Sequence, residues 1–470
     1  MKLIQHGAFL LCLSLISTGA QAQAAYNQER EAFQVKAIYD EVLLNGQCYA
    51  WLEHLTTRIG HRLSGSSGAA AAIEYTRQMM DTLGLDSVWL QPCVVPRWHR
   101  GDPEIVRIVN APSVGSLDLN ALALGNSVGT GPDGVSAEVI EVLSLDELRA
   151  LPDATVRGKI VFFNRPLDVT LVNTFQAYGR AVDQRGTGPV VAARKGAVAA
   201  LVRSMTTALD DVPHTGSTRI DPDGANIPAV AISTNDAELL SRLLMRESVR
   251  VFIRTTCQML EPVQSYNVIG QINGSERPDE IILVGGHLDS WDVGHGAHDD
   301  GTGCVQSIEV MRTLLARGYR PRRTIRCVMF MNEENGLVGA TTYAAVSNER
   351  NEFHLAAIES DAGGFVPLGF TCAARQELQE AYLANVAKWW DVLAARGLYI
   401  RPGGSGADIN PLRSQGGLLF GLRPDSQRYF DYHHTAIDTF DKVNERELKL
   451  GAAAMTSLVY LLDKYLNRAK

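Results

Sequence analysis

In the second half of the chain, short continuous apolar runs alternate with longer amphipathic stretches. Residues 268–272, 281–284, 324–330, 355–358 and 418–422 are mostly Val, Ile, Leu, Met and Phe. Runs of that kind predict strands buried on both faces. Between and after them, residues 303–317, 338–347, 378–396 and 445–465 carry apolar positions at helical spacing and predict covering helices. The fold class expected is α/β, with a mixed, mostly parallel sheet sandwiched by helices.

The first half has another texture. Residues 31–44 and 69–83 predict helices, the second following the Gly/Ser-rich stretch Ser64-Gly65-Ser66-Ser67-Gly68, and residues 87–95 predict a strand. From about residue 116 the chain turns to short β-like runs at 137–142, 159–163, 198–202, 229–232 and 249–253, broken by Gly, Pro and Asp and by helical stretches, one of them at 236–244. This organisation predicts a catalytic domain built from residues 25–115 and 259–470, interrupted by a strand-rich inserted domain at 116–258. A length of 470 residues suits two such units.

Composition narrows the class. With 46% apolar and 20% charged residues, the chain is neither disordered nor a coiled coil. A net charge of −8 without a basic block argues against a nucleic-acid partner. Met1-Lys2, the apolar run 8–16 and alanines at 20, 22 and 24 have the layout of a cleaved signal peptide spanning residues 1–24, which predicts secretion or a periplasmic location. No other stretch approaches the ~18 apolar residues of a membrane span. Beyond the leader stand Cys48, Cys93, Cys257, Cys304, Cys327 and Cys372, enough for up to three disulfides in an exported protein. Cys304 and Cys327 lie in apolar contexts that read as buried thiols.

The candidate chemistry falls at strand ends. The run ending Gly285-Gly286 leads into His287-Leu288-Asp289, the run ending Met331-Asn332 into Glu333-Glu334, and Ile358-Glu359-Ser360 into Asp361. In open α/β sheets, ligands gather outside the carboxyl ends of strands. Three strand ends therefore bring His, Glu and Asp to one crevice. His298-Asp299-Asp300-Gly301 adds two carboxylates before a helix start, and His433-His434-Thr435 follows late in the chain. Each motif alone is commonplace; their order after buried strands is not. Adjacent buried carboxylates are unfavourable without a cation, and imidazole with carboxylate is a donor set that suits zinc. His287-x-Asp289 fits a ligand oriented by a nearby carboxylate.

Together, Gly285–Asp292, the Asp299-Asp300-Gly301 turn, Glu333-Glu334, Glu359–Gly363 and His433-His434 resemble the co-catalytic dizinc aminopeptidase superfamily, and within it the plasma carboxypeptidase branch. The likeness extends over nearly the whole mature chain, including Ser64-Gly65 and Pro213-His214-Thr215-Gly216, and marks the insert as similar to a protease-associated domain. It implies two zinc ions per chain, one held by His287 and Asp361, the other by Glu334 and His434, with Asp299 bridging and a cis bond to Asp300. It further implies Glu333 as general base, Asp289 behind His287, and His433 beside the site. Asp408 matches a motif lining the cleft and is expected to contact substrate. Dipeptides or short peptides are the substrates implied, and a homodimer the assembly. Neither polarity nor side-chain preference is legible: Glu359 and Asp408 could anchor an amine, Arg413 and Arg423 a carboxylate.

Two other functions share these features. A glutaminyl-peptide cyclotransferase uses the same scaffold with one zinc. A receptor-like scaffold that has lost catalysis is the other, but here all the ligand positions and the base are filled.

Overall fold

The computed structural model describes residues 26–469 other than Ala225; the expected leader, residues 1–24, lies outside them. Two eight-stranded sheets organise the chain. In the first, the centre is parallel: Arg277–His287 lies between Arg323–Phe330 and Phe353–Glu359, with Leu418–Pro424 beyond. Antiparallel arms flank it. On one side Gln258–Ile272 pairs with Arg323–Phe330 and with Ser87–His99, and on the other Pro367–Ala373 pairs with Leu418–Pro424. Tyr399–Pro402 closes that edge.

The continuous apolar runs mean burial on both faces. Successive side chains of a strand point to opposite sides. Ile282, Val284, Cys327, Met329 and Ile358 accordingly pack on one face with Ile308, Leu314, Met455, Leu458 and Leu462, from the helices Thr302–Ala316 and Glu445–Tyr465. Leu283, Val328, Phe330 and Ala357 pack on the other with Ala340 and Tyr343 of Val338–Glu349 and with Leu412. Glu445–Tyr465 is buried almost all round, capped by the Asn444 side chain. The stretch predicted as one helix at 378–396 is two, Gln376–Val386 and Asp391–Ala394. Pro367–Ala373 and Tyr399–Pro402 are strands without a distinctive apolar signal.

The second sheet runs in the order Gly115–Asp118, Ile105–Ala111, Arg250–Arg254, Val135–Val142, Ile160–Phe163, Ala199–Arg203, Ala229–Ile232, Ala121–Ala123. Its first strand starts at Ile105, ahead of the residue 116 expected from composition. Ile160 and Phe162 face a core with Leu240 of Thr234–Leu244, whereas Val161 and Phe163 face Leu148 and Ala192. The two halves dock through Trp291, which enters the second sheet's core edge-on to Trp98 at 6.3 Å. Gly125 makes that fit possible, since a Cβ there would meet the Trp291 ring at 1.9 Å. Beside it Arg100 grips Asp292 through Nε and Nη2, at 2.8 and 2.5 Å.

Among the described residues all six cysteines are buried free thiols, so none of the permitted disulfides forms. No described helix is long and apolar enough to cross a membrane.

Candidate metal centre

Two imidazoles and three carboxylates converge at the C-terminal ends of the central strands. His287 closes its strand, and its Nε2 lies 3.2 Å from Asp299 Oδ1 and 3.6 Å from Asp361 Oδ1. His434 Nε2 lies 3.2 Å from Asp299 Oδ2 and 3.1 Å from Glu334 Oε2. Asp299 therefore stands between the two imidazoles, one oxygen toward each. Its peptide bond to Asp300 is cis. His433 stacks on His434 at 3.5 Å, and its Nε2 is 3.7 Å from Asp299 Oδ2.

Each imidazole is fixed from behind by a backbone carbonyl. His287 Nδ1 donates to the Asp289 carbonyl at 2.9 Å, and His434 Nδ1 donates to that of Thr215 at 3.3 Å. A carbonyl only accepts, so Nδ1 carries the hydrogen and Nε2 faces the carboxylates. The group orienting His287 is thus the Asp289 main chain. The Asp289 carboxylate, expected in that role, stands 4.0 Å from Nδ1. It instead accepts the N–H groups of Asn332, Glu333 and Glu334 at 2.7, 3.1 and 3.4 Å. That fixes the turn carrying the Glu pair.

The wide helical turn Ala297–Gly301, which presents Asp299, is held by Asp438. Its carboxylate accepts from the N–H groups of His298 and Asp299 at 2.8 and 3.1 Å. Arg62, fully buried, donates to the carbonyls of Gly60, Leu288, His295 and Gly296 and so staples the preceding loop. His298 stacks against Phe365 and Tyr432 and accepts from Gly364 N–H. It belongs to the scaffold.

The cluster needs positive charge. Burial first, then the charge of Asp299, pushes the Glu334 carboxyl up to about 7. Burial, aided by the carboxylates of Asp361, Glu334 and Asp299, raises Glu333 well above the usual range. Asp299 Oδ2 and Glu334 Oε1 are buried without a hydrogen-bond donor. Buried carboxylate oxygens left so are open positions for a cation. Donor atoms of His287, Asp299 and Asp361, and of Asp299, His433 and His434, lie close enough to share an ion. These residues fit divalent metal.

Asp408 does not reach the cleft. It is 1% exposed, lies against Glu359, and neither carboxylate oxygen has a partner. The match to a cleft-lining motif suggests substrate contact, but Asp408 is not among the cleft's lining residues, and its neighbour Ile409 donates its N–H to the buried Glu359 Oε2 at 2.9 Å.

Residues 267–459 match the model for peptidase family M28, and residues 123–240 that for the PA domain. Carboxypeptidase Q of Bos taurus is 35% identical over 421 residues, covering 88% of this chain and 84% of that protein. Carboxypeptidase Q of Xenopus laevis is 36% identical over 416 residues, covering 88% and 85%. The chain belongs to peptidase family M28. It is a carboxypeptidase Q-like metallopeptidase. The crystal structure of a peptidase M28 precursor from Shewanella amazonensis SB2B superimposes with a TM-score of 0.88 at 31% identity, covering 94% of this chain and 99% of that one.

The cleft of this M28 peptidase, about 860 Å³, lies between its two halves. Asp299, Glu333, Glu334, Asp361, His433 and His434 form its floor. Tyr178, Arg185 and Thr218, from the side of the second sheet, form the facing wall. No sequence motif points to that wall directly. The one available signal was Pro213-His214-Thr215-Gly216, which reaches the back of His434.

Proposed function

We propose that this peptidase is an exported dizinc exopeptidase that hydrolyses dipeptides or short peptides. In this reading His287 and Asp361 hold one zinc, Glu334 and His434 the other, and Asp299 bridges them. The observation that carries it is Asp299 set between two imidazoles, one carboxylate oxygen 3.2 Å from each. Zinc in this site would polarise the scissile carbonyl and acidify the attacking water.

Glu333 has no ligand task. Its backbone is pinned by Asp289, and its side chain lines the cleft. A carboxylate so placed beside the proposed metals suits a group that takes a proton from the attacking water at Oε and returns it to the leaving amine. His433, which lines the cleft floor, would touch substrate in this reading. In this account the catalytic domain expected at 25–115 and 259–470 yields to the insert expected at 116–258 already at Ile105, where the second sheet begins, and residues 1–24 are the export signal. Two copies pair as a homodimer.

The test compares wild type with Glu333→Gln, both assayed for metal content and for hydrolysis of unsubstituted dipeptides. The proposal expects equal zinc and a kcat lower by about 10²–10⁴-fold. Wild-type-like turnover by Glu333→Gln would remove the base assignment. A single zinc per chain with pyroglutamate release from Gln-peptides would replace the function.

A further inference from the structure

Arg185, on the short helix Asp183–Gly186 of the inserted half, is a buried cation without an anion. It is 6% exposed, and its partners are neutral. Nη1 donates to the Thr215 carbonyl at 3.3 Å and stands 3.3 Å from His434 Nδ1, Nη2 donates to Tyr178 Oη at 2.7 Å, and Nε has no partner. The Tyr178 ring lies 5.6 Å from the guanidinium carbon.

The other buried arginines differ. Arg62 spends its donors on four carbonyls, while Arg203, Arg323 and Arg326 each reach a carboxylate, of Glu238, Glu280 and Glu352. A guanidinium has five N–H donors in a planar fork that matches a carboxylate. Buried charge left unpaired is costly. Arg185 keeps unused donors and an uncompensated charge on the wall of the cleft that holds Glu333, Glu334, Asp299 and Asp361.

We propose that Arg185 receives the free carboxylate of the substrate's C-terminal residue, so that the inserted domain sets which end of a peptide is recognised. This rests on the peptidase reading above and supplies the polarity it lacks. Arg185 abuts the back of His434, so only about one or two extended residues, at ~3.5 Å each, fit between an anchored carboxylate and the ligand cluster. Short peptides follow from that reach. Arg413 is spent on the Ala374 carbonyl. Arg423 lines the adjoining cavity, where Nε bonds Thr371 Oγ1 and Nη2 the Gly404 carbonyl.

The test uses the zinc-loaded full chain, the dipeptide Ala-Leu and its C-terminal amide, with wild type, Arg185→Gln, Arg185→Lys and Arg423→Gln. Wild type is expected to prefer the free acid. Arg185→Gln should lose on the order of 10–100-fold in kcat/KM for the free acid, mainly through KM, the size expected for a charged hydrogen bond. Its loss on the amide should be several-fold smaller than on the acid, with zinc still bound, and Arg185→Lys should recover part of the acid-specific loss. Equal losses on acid and amide, or loss of zinc along with activity, would overturn the proposal in favour of a role confined to holding His434. A selective loss in Arg423→Gln alone would overturn it by moving the anchor to the adjoining cavity. Wild-type hydrolysis of either substrate supports the peptidase reading by itself. The anchor can therefore fail while that reading stands, and a wild type that cleaves neither substrate sinks both.

Discussion

Thr215 and His434 clasp each other across the boundary between the two halves. The Thr215 N–H donates to the His434 carbonyl at 3.0 Å, and the His434 imidazole donates back to the Thr215 carbonyl at 3.3 Å. His434 has a left-handed φ of 62°, a conformation uncommon for a residue with a side chain. The inserted half thereby fixes both the backbone and the ring of a proposed zinc ligand.

Gly216 tests this clasp. Its φ is 128°, and a Cβ there would lie 2.2 Å from Arg185 Nη1 and 2.7 Å from His434 Nδ1. Gly216→Ala should push the imidazole off its carbonyl and weaken the proposed metal site at His434 by about 10–100-fold, as loss of such supporting groups does. Competition with a zinc chelator measures it. Unchanged affinity at both sites would mean that the clasp does not govern the ligand.

Asp289 should matter for stability as well as for activity. Asp289→Ala leaves the N–H groups of Asn332, Glu333 and Glu334 without their acceptor, and each unsatisfied buried group costs about 1–3 kcal/mol. The metal-free protein should then melt several degrees lower than metal-free wild type. A variant with wild-type Tm and impaired turnover would point instead to a direct part in the chemistry.

Away from the site, Glu31 ties the first helix to the last. Fully buried, it accepts from Tyr460 and Tyr465 Oη at 2.6 and 2.7 Å, Lys464 Nζ at 3.0 Å and Arg30 Nε at 2.8 Å. Burial raises its pKa, but these donors outweigh it and hold the carboxyl below its ordinary 4.5. A depressed carboxyl stabilises the fold above its unfolded pKa and loses that contribution as pH falls through the folded one. The Tm advantage of wild type over Glu31→Gln should therefore be full at neutral pH and shrink below about 4.5. A difference that grows on acidification would contradict the assignment.

The sequence made the floor of the cleft legible because the sheet itself builds it. Buried parallel strands must end at one edge, and His287, Glu334 and Asp361 follow such strands directly. The wall was illegible for the converse reason. Arg185 and Thr215 lie more than two hundred residues before His434, in a separate sheet, and no periodicity records a docking contact. Asp289 misled through spacing: His-x-Asp suggests a carboxylate behind an imidazole, whereas the strand end turns so that the carbonyl takes that place. Pro367–Ala373 and the edge strand Tyr399–Pro402 escaped because Gly and polar residues interrupt them, and pairing along the sheet outweighs their weak pattern.

The functional reading rests on the proposed two-zinc centre. Zinc per chain should be measured on the purified wild-type protein by elemental analysis, during stepwise chelation and with dipeptide turnover followed in parallel. The account predicts two zinc ions per chain, activity lost as they leave and restored when zinc returns. Full turnover by a protein holding one zinc, or none, would contradict it.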